Sequence, residues 1–318
     1  SSLRFIPAKI NHGIKFQRID LDHKPIIKAD VENVIDISRG TTLCENDGKV
    51  STVEHLLAAL VGLQIDNILI QIDGPEVPIM DGSSIEFIKC LEKCKFKDQD
   101  AVRNYLEIPE SIFYKDEENN VELAAYPLKD YRVTVMVDYN SEVLGSQHHT
   151  LNQIEDFKKE ISQCRTFCFL REVEELFKNN LIKGGDLDNA IVIVDKMVDN
   201  KKLKEISKML GKKDIKLESE GILNNTKLRF KNEPARHKLL DVVGDLALIG
   251  RPIRGHIVGV RPGHKSNVQF AKKLKKLSTN NKVIAPKYSP NQKPIYNVNQ
   301  IKKILEHRHP FLFVDKII

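Results

Sequence analysis

His237 and Asp241 stand four residues apart in PARHKLLDVVGD, residues 234–245, whose apolar positions recur at helical spacing. At about 100° per residue the two side chains are roughly 40° apart, on one helical face. Leu239, Leu240, Val243, Leu246 and Ala247 gather on the opposite side as a core-facing stripe. An imidazole and a carboxylate on adjacent turns can supply two ligands of a divalent metal; a catalytic zinc needs a third and an open position for water. Taken alone, the spacing is more often a solvated polar face, because only the stricter H-E-x-x-H pattern is diagnostic.

A second helical run, STVEHLLAALVG at residues 51–62, has Val53, Leu56, Leu57 and Leu60 as its apolar face, Ser51 as N-cap and Gly62 as its stop. It carries His55, with Glu54 beside it. Each run is followed by a strand (DNILIQI, RGHIVGV), a loop with glycine, and a helix (IEFIKCLEKC, SNVQFAKKLKKL). His55 lies 27 residues before Gly82 and His237 lies 26 before Gly263. These offsets suggest a duplicated α+β layer, two sheets with their helices packed between them. If the halves pack face to face, both histidines meet at the junction. His55, His237 and Asp241 would then offer two nitrogens and one oxygen and leave a tetrahedral zinc one place for water. A carboxylate next to the metal but not on it, as Glu54 would be, suits a general base for that water. Ser51 and Glu54 equally match a capping box, and on spacing alone the cap is the better reading of Glu54.

The elements that must position these residues fall within 318 residues, enough for about two domains. Leu3 to Asp36 reads as strands, through GIKFQRID and VENVIDI, and TTLCENDGKVS as a hairpin with Asp47 and Gly48 in its turn. LEIPESIFY, VELAAYP, YRVTVMVDY and NAIVIVD read as further strands, and residues 152–162 and 171–179 as helices. Hydrophobic residues at 41% and charged residues at 30% describe a globular chain. No apolar run approaches the roughly 20 residues of a membrane span and no signal peptide opens the chain, which makes a cytosolic protein the default. Five cysteines without a C-x-x-C argue against a disulfide framework and a zinc knuckle, and Cys90 and Cys94 read as buried thiols. The net charge of +6 comes largely from lysines at 196–227 and 265–282 with few aromatics between them. That only weakly indicates nucleic acid; attraction to anionic substrates or to a membrane surface fits equally well.

STVEHLLAALVGLQIDN, PEVPIMDGS, RTFCF with the following GGDLDNAIV, ARHKLLDVVGDL and the PGH loop together resemble the LpxC family of zinc-dependent deacetylases. The resemblance covers about residues 3–285 and its motifs are specific in combination. It implies an α+β fold of two similar domains, each a mainly antiparallel sheet with two helices, the helices sandwiched between outer sheets. The expected domains are 1–101, with a strand preceding Ser1 in the family, and 102–286, with an insert at about 167–194. The resemblance implies that His55, His237 and Asp241 hold Zn2+ and that Glu54 activates water. It further implies that His264 acts as the second acid or base, held by Asp245, that Lys238 places positive charge near the substrate, and that Thr166 donates to the oxyanion. Phe167, Leu170, Val173 and Leu187 would line a passage for the acyl chain of an acylated UDP-amino sugar. In isolation each of these residues reads equally as an ordinary surface or core residue.

The last stretch, IYNVNQIKKILEHRHPFLFVDKII, resembles the opening of the hot-dog hydroxyacyl carrier-protein dehydratases. The expectation is a fusion in which 287–294 is a linker and 295–318 begins a dehydratase cut short before its catalytic histidine and glutamate. The resemblances imply a cytoplasmic enzyme of a Gram-negative bacterium in lipid A synthesis, with a small-molecule substrate, no nucleic acid partner and a transient membrane-surface association. Two alternatives stand beside it: a non-catalytic basic binding module, and a dehydratase.

Overall fold

Alternating apolar and polar residues build the strands, and the computed structural model shows which pair. It describes residues 1–172, 189–195, 221–223, 227–279, 293–308, 310–312, 314, 316 and 317. Residues 173–179 of the expected helix at 171–179, nearly all of the 196–227 stretch, and the linker before residue 293 lie outside the described residues. The chain divides into two units, residues 1–278 and 279–318.

In the larger unit the first strands are β1 (Leu3–Pro7), β2 (Ile14–Arg18) and β3 (Ile26–Lys28), followed by β4 (Val34–Asp36), β5 (Thr42–Glu45) and β6 (Gly48–Val50). Helix α1 (Glu54–Gly62), strand β7 (Ile68–Ile72) and helix α2 (Ile85–Glu92) complete this half. The second half begins with β8 (Leu106–Glu107), β9 (Ile112–Asp116), β10 (Val121–Tyr126), β11 (Tyr131–Asp138) and β12 (Ser146–Leu151). Then come the short helix α3 (Phe157–Glu160), β13 (Phe167–Phe169), β14 (Ile191–Ile193), helix α4 (Glu233–Ala247), β15 (Ile253–Val260) and helix α5 (His264–Thr279).

The two halves repeat one topology. The first sheet has the order β1-β7-β2-β3, and the second contains β10-β15-β11-β12, extended by β9 beyond β10 and by β8 on β15. In each, the strand that follows the histidine helix is central. Strand β7 pairs antiparallel with β1 and parallel with β2; β15 pairs antiparallel with β10 and parallel with β11. Burial alternates along β7 and β15, so each sheet turns one face to the core. Helices α1 and α4 are wrapped in that core, with Leu56, Leu57, Leu60, Leu239, Leu240, Val242 and Val243 fully buried in one continuous cluster. This is the duplicated α+β arrangement that the offsets suggested.

Several local expectations are corrected. VENVIDI is not one strand: Asp30 accepts the Glu32 N–H at 3.1 Å and starts a 3-10 turn at Val31–Asn33, so only Val34–Asp36 is extended. The hairpin turn is Asn46–Asp47, both at positive φ (49° and 62°), as a two-residue primed turn requires, and Gly48 already belongs to β6. Helix 152–162 is a 3-10 turn at Ile154–Asp156 followed by α3 alone. Cys90 and Cys94 are exposed, because α2 buries Phe87, Ile88 and Leu91 and Cys90 stands about 100° from Leu91 around the axis.

In the smaller unit, β16 (Tyr296–Asn297) pairs antiparallel with β17 (Lys316–Ile317) and flanks helix α6 (Val298–Ile304). A reciprocal capping box between Asn297 and Gln300 starts that helix.

Helix α4 packs directly on α1, with almost no room between their backbones at Gly244. A β-carbon added at Gly244 would lie 2.1 Å from the carbonyl oxygen of Glu54. Gly244→Ala should therefore push the helices apart and cost about 1–3 kcal/mol. The measurement is the denaturant midpoint, and an unchanged midpoint would show that the crossing is not tight.

Candidate metal centre

Helix α1 begins at Glu54, so Glu54 is the first helical residue and stands two positions short of where a capping box would need it. No side chain caps this helix, and the Ser51 N–H is bonded to the Pro75 carbonyl at 2.9 Å. The Glu54 carboxylate therefore bonds elsewhere, and its Oε2 accepts the Thr41 N–H at 2.9 Å. His55 follows on the buried side, its carbonyl oxygen receiving the Ser84 hydroxyl at 2.9 Å.

His237 and Asp241 do lie one turn apart on α4, but they are not on a solvated face. Each is only 2% exposed, because α1 covers that side of the helix. His55 arrives from α1, so that its Nε2 lies 3.7 Å from Asp241 Oδ1, while His237 Nε2 lies 3.4 Å from the same oxygen. The two imidazoles meet edge to face at 5.0 Å. One ligand atom from each of the three residues falls within 4.8 Å of the other two.

This donor set fits a divalent cation. Asp241 Oδ1 is buried and accepts no hydrogen bond among the described residues, while Oδ2 takes the Lys238 ammonium at 2.9 Å. A buried carboxylate oxygen without a donor is costly unless a cation meets it. Burial would raise the Asp241 carboxyl, but the Lys238 ammonium and the His264 imidazolium pull it below the usual range and keep it ionised. Burial, reinforced by His237, pushes His55 down to about 3, and burial lowers His237 as well, so both are neutral. His237 Nδ1 sits 3.0 Å from the Cys164 carbonyl. The proton belongs on that nitrogen, which leaves Nε2 with its lone pair turned toward Asp241.

Beside this triangle lies a second set. His264 opens α5 instead of ending a loop, and its Nδ1 donates to Asp245 Oδ2 at 2.9 Å. Burial disfavours the imidazolium, yet the Asp245 carboxylate outweighs it and lifts His264 to about 10. Its Nε2 faces Glu54 Oε1 at 4.0 Å. Burial pushes Glu54 up to about 7, partly opposed by the His264 charge.

The structure thus gathers Glu54, His55, His237, Lys238, Asp241, Asp245 and His264. Lys238 is tied to Asp241, and its ammonium also lies 5.6 Å from the Phe167 ring. Phe167 in turn meets the His237 ring at 6.3 Å. Thr166 is half-buried and held by its backbone, donating to Gly82 O at 2.7 Å and accepting from Ile191 N at 2.8 Å. No side-chain hydrogen bond ties it to the cluster among the described residues. Leu170 is buried, and Val173 and Leu187 lie outside the described residues.

Four supporting groups escaped the sequence reading. Thr41 donates its hydroxyl to Asp245 Oδ1 at 2.5 Å, and Asn267 donates to Asp245 Oδ2 at 2.8 Å. The Cys164 carbonyl orients His237. Glu233, wholly buried, accepts from Arg165 N and Nε at 3.0 and 2.9 Å and from Arg229 N at 2.6 Å, bracing the segment that carries Cys164 and Thr166. Asn267 and Glu233 had a usable signal, one turn from His264 and from His237; Thr41, in a loop 204 residues from Asp245, had none.

A duplicated α+β fold with a buried His-His-Asp triangle where its two histidine helices cross is the arrangement of a protein that could hold a metal ion between its two halves. A family model described as LpxC: UDP-3-O-acyl N-acetylglycosamine deacetylase matches residues 1–210 and 204–276, and the chain belongs to that family. It is 48% identical over 322 residues to a bifunctional enzyme LpxC/FabZ of Chlorobaculum tepidum, a match covering 100% of this chain and 69% of the relative. The bifunctional enzyme LpxC/FabZ of Bacteroides thetaiotaomicron is 43% identical with the same coverage. A UDP-3-O-acyl-N-acetylglucosamine deacetylase of Myxococcus xanthus is 38% identical over 274 residues, covering 86% of this chain and 79% of the relative. No helix among the described residues is long and apolar enough to cross a membrane.

A metal that binds the folded chain and not the unfolded one stabilises it, by about 2.7 kcal/mol at a hundredfold excess over its Kd. Adding Zn2+ to metal-free protein should raise its melting temperature, and the rise should vanish in Asp241→Ala. An equal rise in that variant would place the metal elsewhere.

Proposed function

We propose that this chain removes acetate from a UDP-3-O-acyl-N-acetylglucosamine, with Zn2+ held by His55, His237 and Asp241. Family membership supports the reaction, and the unpartnered Asp241 Oδ1 between two neutral imidazoles is the observation that carries the site. When bound there, zinc polarises the amide carbonyl and acidifies water.

The chain's own residues handle the protons. Glu54, raised by burial to about 7, takes one from the attacking water through Oε1, since Oε2 is engaged by Thr41. The C–N bond of the acetamide is strengthened by resonance, and its nitrogen is a poor leaving group unless it is protonated. His264, kept as imidazolium by Asp245, delivers a proton to that nitrogen, so water and amide leave as amine and acetate. The 4.0 Å between His264 Nε2 and Glu54 Oε1 sets acid and base side by side. Lys238 holds Asp241 in its ionised form through Oδ2. In this reading Thr166 donates to the developing oxyanion, and Phe167, Leu170, Val173 and Leu187 line the acyl passage; those roles rest on the family resemblance.

The reading places the reaction in the cytoplasm, in lipid A synthesis. It takes residues 1–101 and 102–286 as the two deacetylase domains, 287–294 as a linker and 295–318 as the opening of a fused dehydratase. The two relatives named LpxC/FabZ match the chain over its full length, whereas the family match ends at 276.

Zinc content and acetate release, measured for the chain and two variants, test this reading. His237→Ala should lose both. Glu54→Gln should keep zinc while turnover falls about 10²- to 10⁴-fold. Full zinc load and full turnover in His237→Ala would reject the site.

A further inference from the structure

Thr41 belongs to a loop between β4 and β5, not to either histidine helix, yet it bonds both to the base Glu54 and to Asp245, the partner of the acid His264. Its N–H donates to Glu54 Oε2 at 2.9 Å and its hydroxyl donates to Asp245 Oδ1 at 2.5 Å. The residue is fully buried, as is Asp245. No water is needed to complete either bond. Asp245 gives its other oxygen to His264 Nδ1 and Asn267 Nδ2, at 2.9 and 2.8 Å. Thr41 is therefore one bond from Glu54 and two from His264.

The preceding residue reinforces this. Gly40 has φ 154°, and a β-carbon there would lie 2.6 Å from Glu54 Oε1. The absence of a side chain lets the loop close over the carboxylate, so that Thr41 takes Oε2 and Oε1 stays toward His264.

Resting on the deacetylase reading above, we propose that Thr41 is a positioning residue that fixes the distance between the base Glu54 and the acid His264. Its backbone anchors the first and its hydroxyl anchors the second through Asp245. It touches neither substrate nor metal. Groups that orient the residues of a centre in this way change activity about 10- to 100-fold when removed. The hydroxyl and the N–H separate cleanly: Thr41→Val keeps shape and N–H and deletes only the bond to Asp245, whereas Thr41→Ser keeps both bonds.

The experiment compares zinc-loaded wild type, Thr41→Val and Thr41→Ser in steady-state deacetylation, with zinc content and melting temperature recorded for each. Thr41→Val should lose about 10- to 100-fold in kcat with KM and zinc content unchanged. Thr41→Ser should stay within about threefold of wild type, which a role in filling space alone would not give. In a His264→Ala background the Val change should cost less than about threefold more, because the hydroxyl acts through that histidine. Thr41→Val turning over at the wild-type rate would overturn the proposal, as would a full additive loss in the His264→Ala background. Wild-type protein that binds zinc but releases no acetate would instead refute the deacetylase reading.

Discussion

The closeness of α1 to α4 is the constraint on which the site depends. A side chain at 244 would meet the Glu54 carbonyl at 2.1 Å, so the crossing exists only because residue 244 is glycine. That contact lies at the first turn of α1, where Glu54 and His55 sit, and beside the turn of α4 that carries Asp241 and Asp245. Close packing of the backbones is thus what brings a nitrogen from the first half within 3.7 Å of a carboxylate from the second. The repeated sheet order supplies each half with the same scaffold behind its helix.

Such proximity buries four acidic side chains, Glu54, Glu233, Asp241 and Asp245, and ionised groups away from water need partners. Each is met differently. Glu233 has two arginine-bearing backbone segments and a guanidinium; Asp245 has a threonine, a histidine and an asparagine; Glu54 has a backbone N–H. Asp241 has Lys238 on one oxygen and, among the described residues, no donor on the other. The exception coincides with two neutral imidazoles, and that coincidence distinguishes a ligand site from an ordinary buried charge.

Much of this was legible in the sequence, for physical reasons. The helical period of ARHKLLD put His237 and Asp241 on one face, and the near-equal offsets from His55 and His237 to their glycines reflect a real repeat of sheet topology. What pattern could not show was contact between distant loops. Thr41 lies next to a carboxylate from each half, both chosen by the fold, and nothing in SRGTTLC marks it. Local chemistry also misled: Ser51 and Glu54 have the spacing of a capping box, but Ser51 is drawn to Pro75 and the helix starts three residues later. Cys90 and Cys94 looked buried because they share a helical face with apolar residues, but Cys90 lies off the buried face of α2 and Cys94 lies past the helix end at Glu92.

The central claim is that His55 joins His237 and Asp241 around one ion, and anomalous diffraction at the zinc absorption edge from crystals of zinc-loaded protein tests it directly. The expected result is a strong peak within about 2.0–2.2 Å of His55 Nε2, His237 Nε2 and an Asp241 carboxylate oxygen. A peak bound by only the α4 pair, or one at another place on the chain, would contradict it.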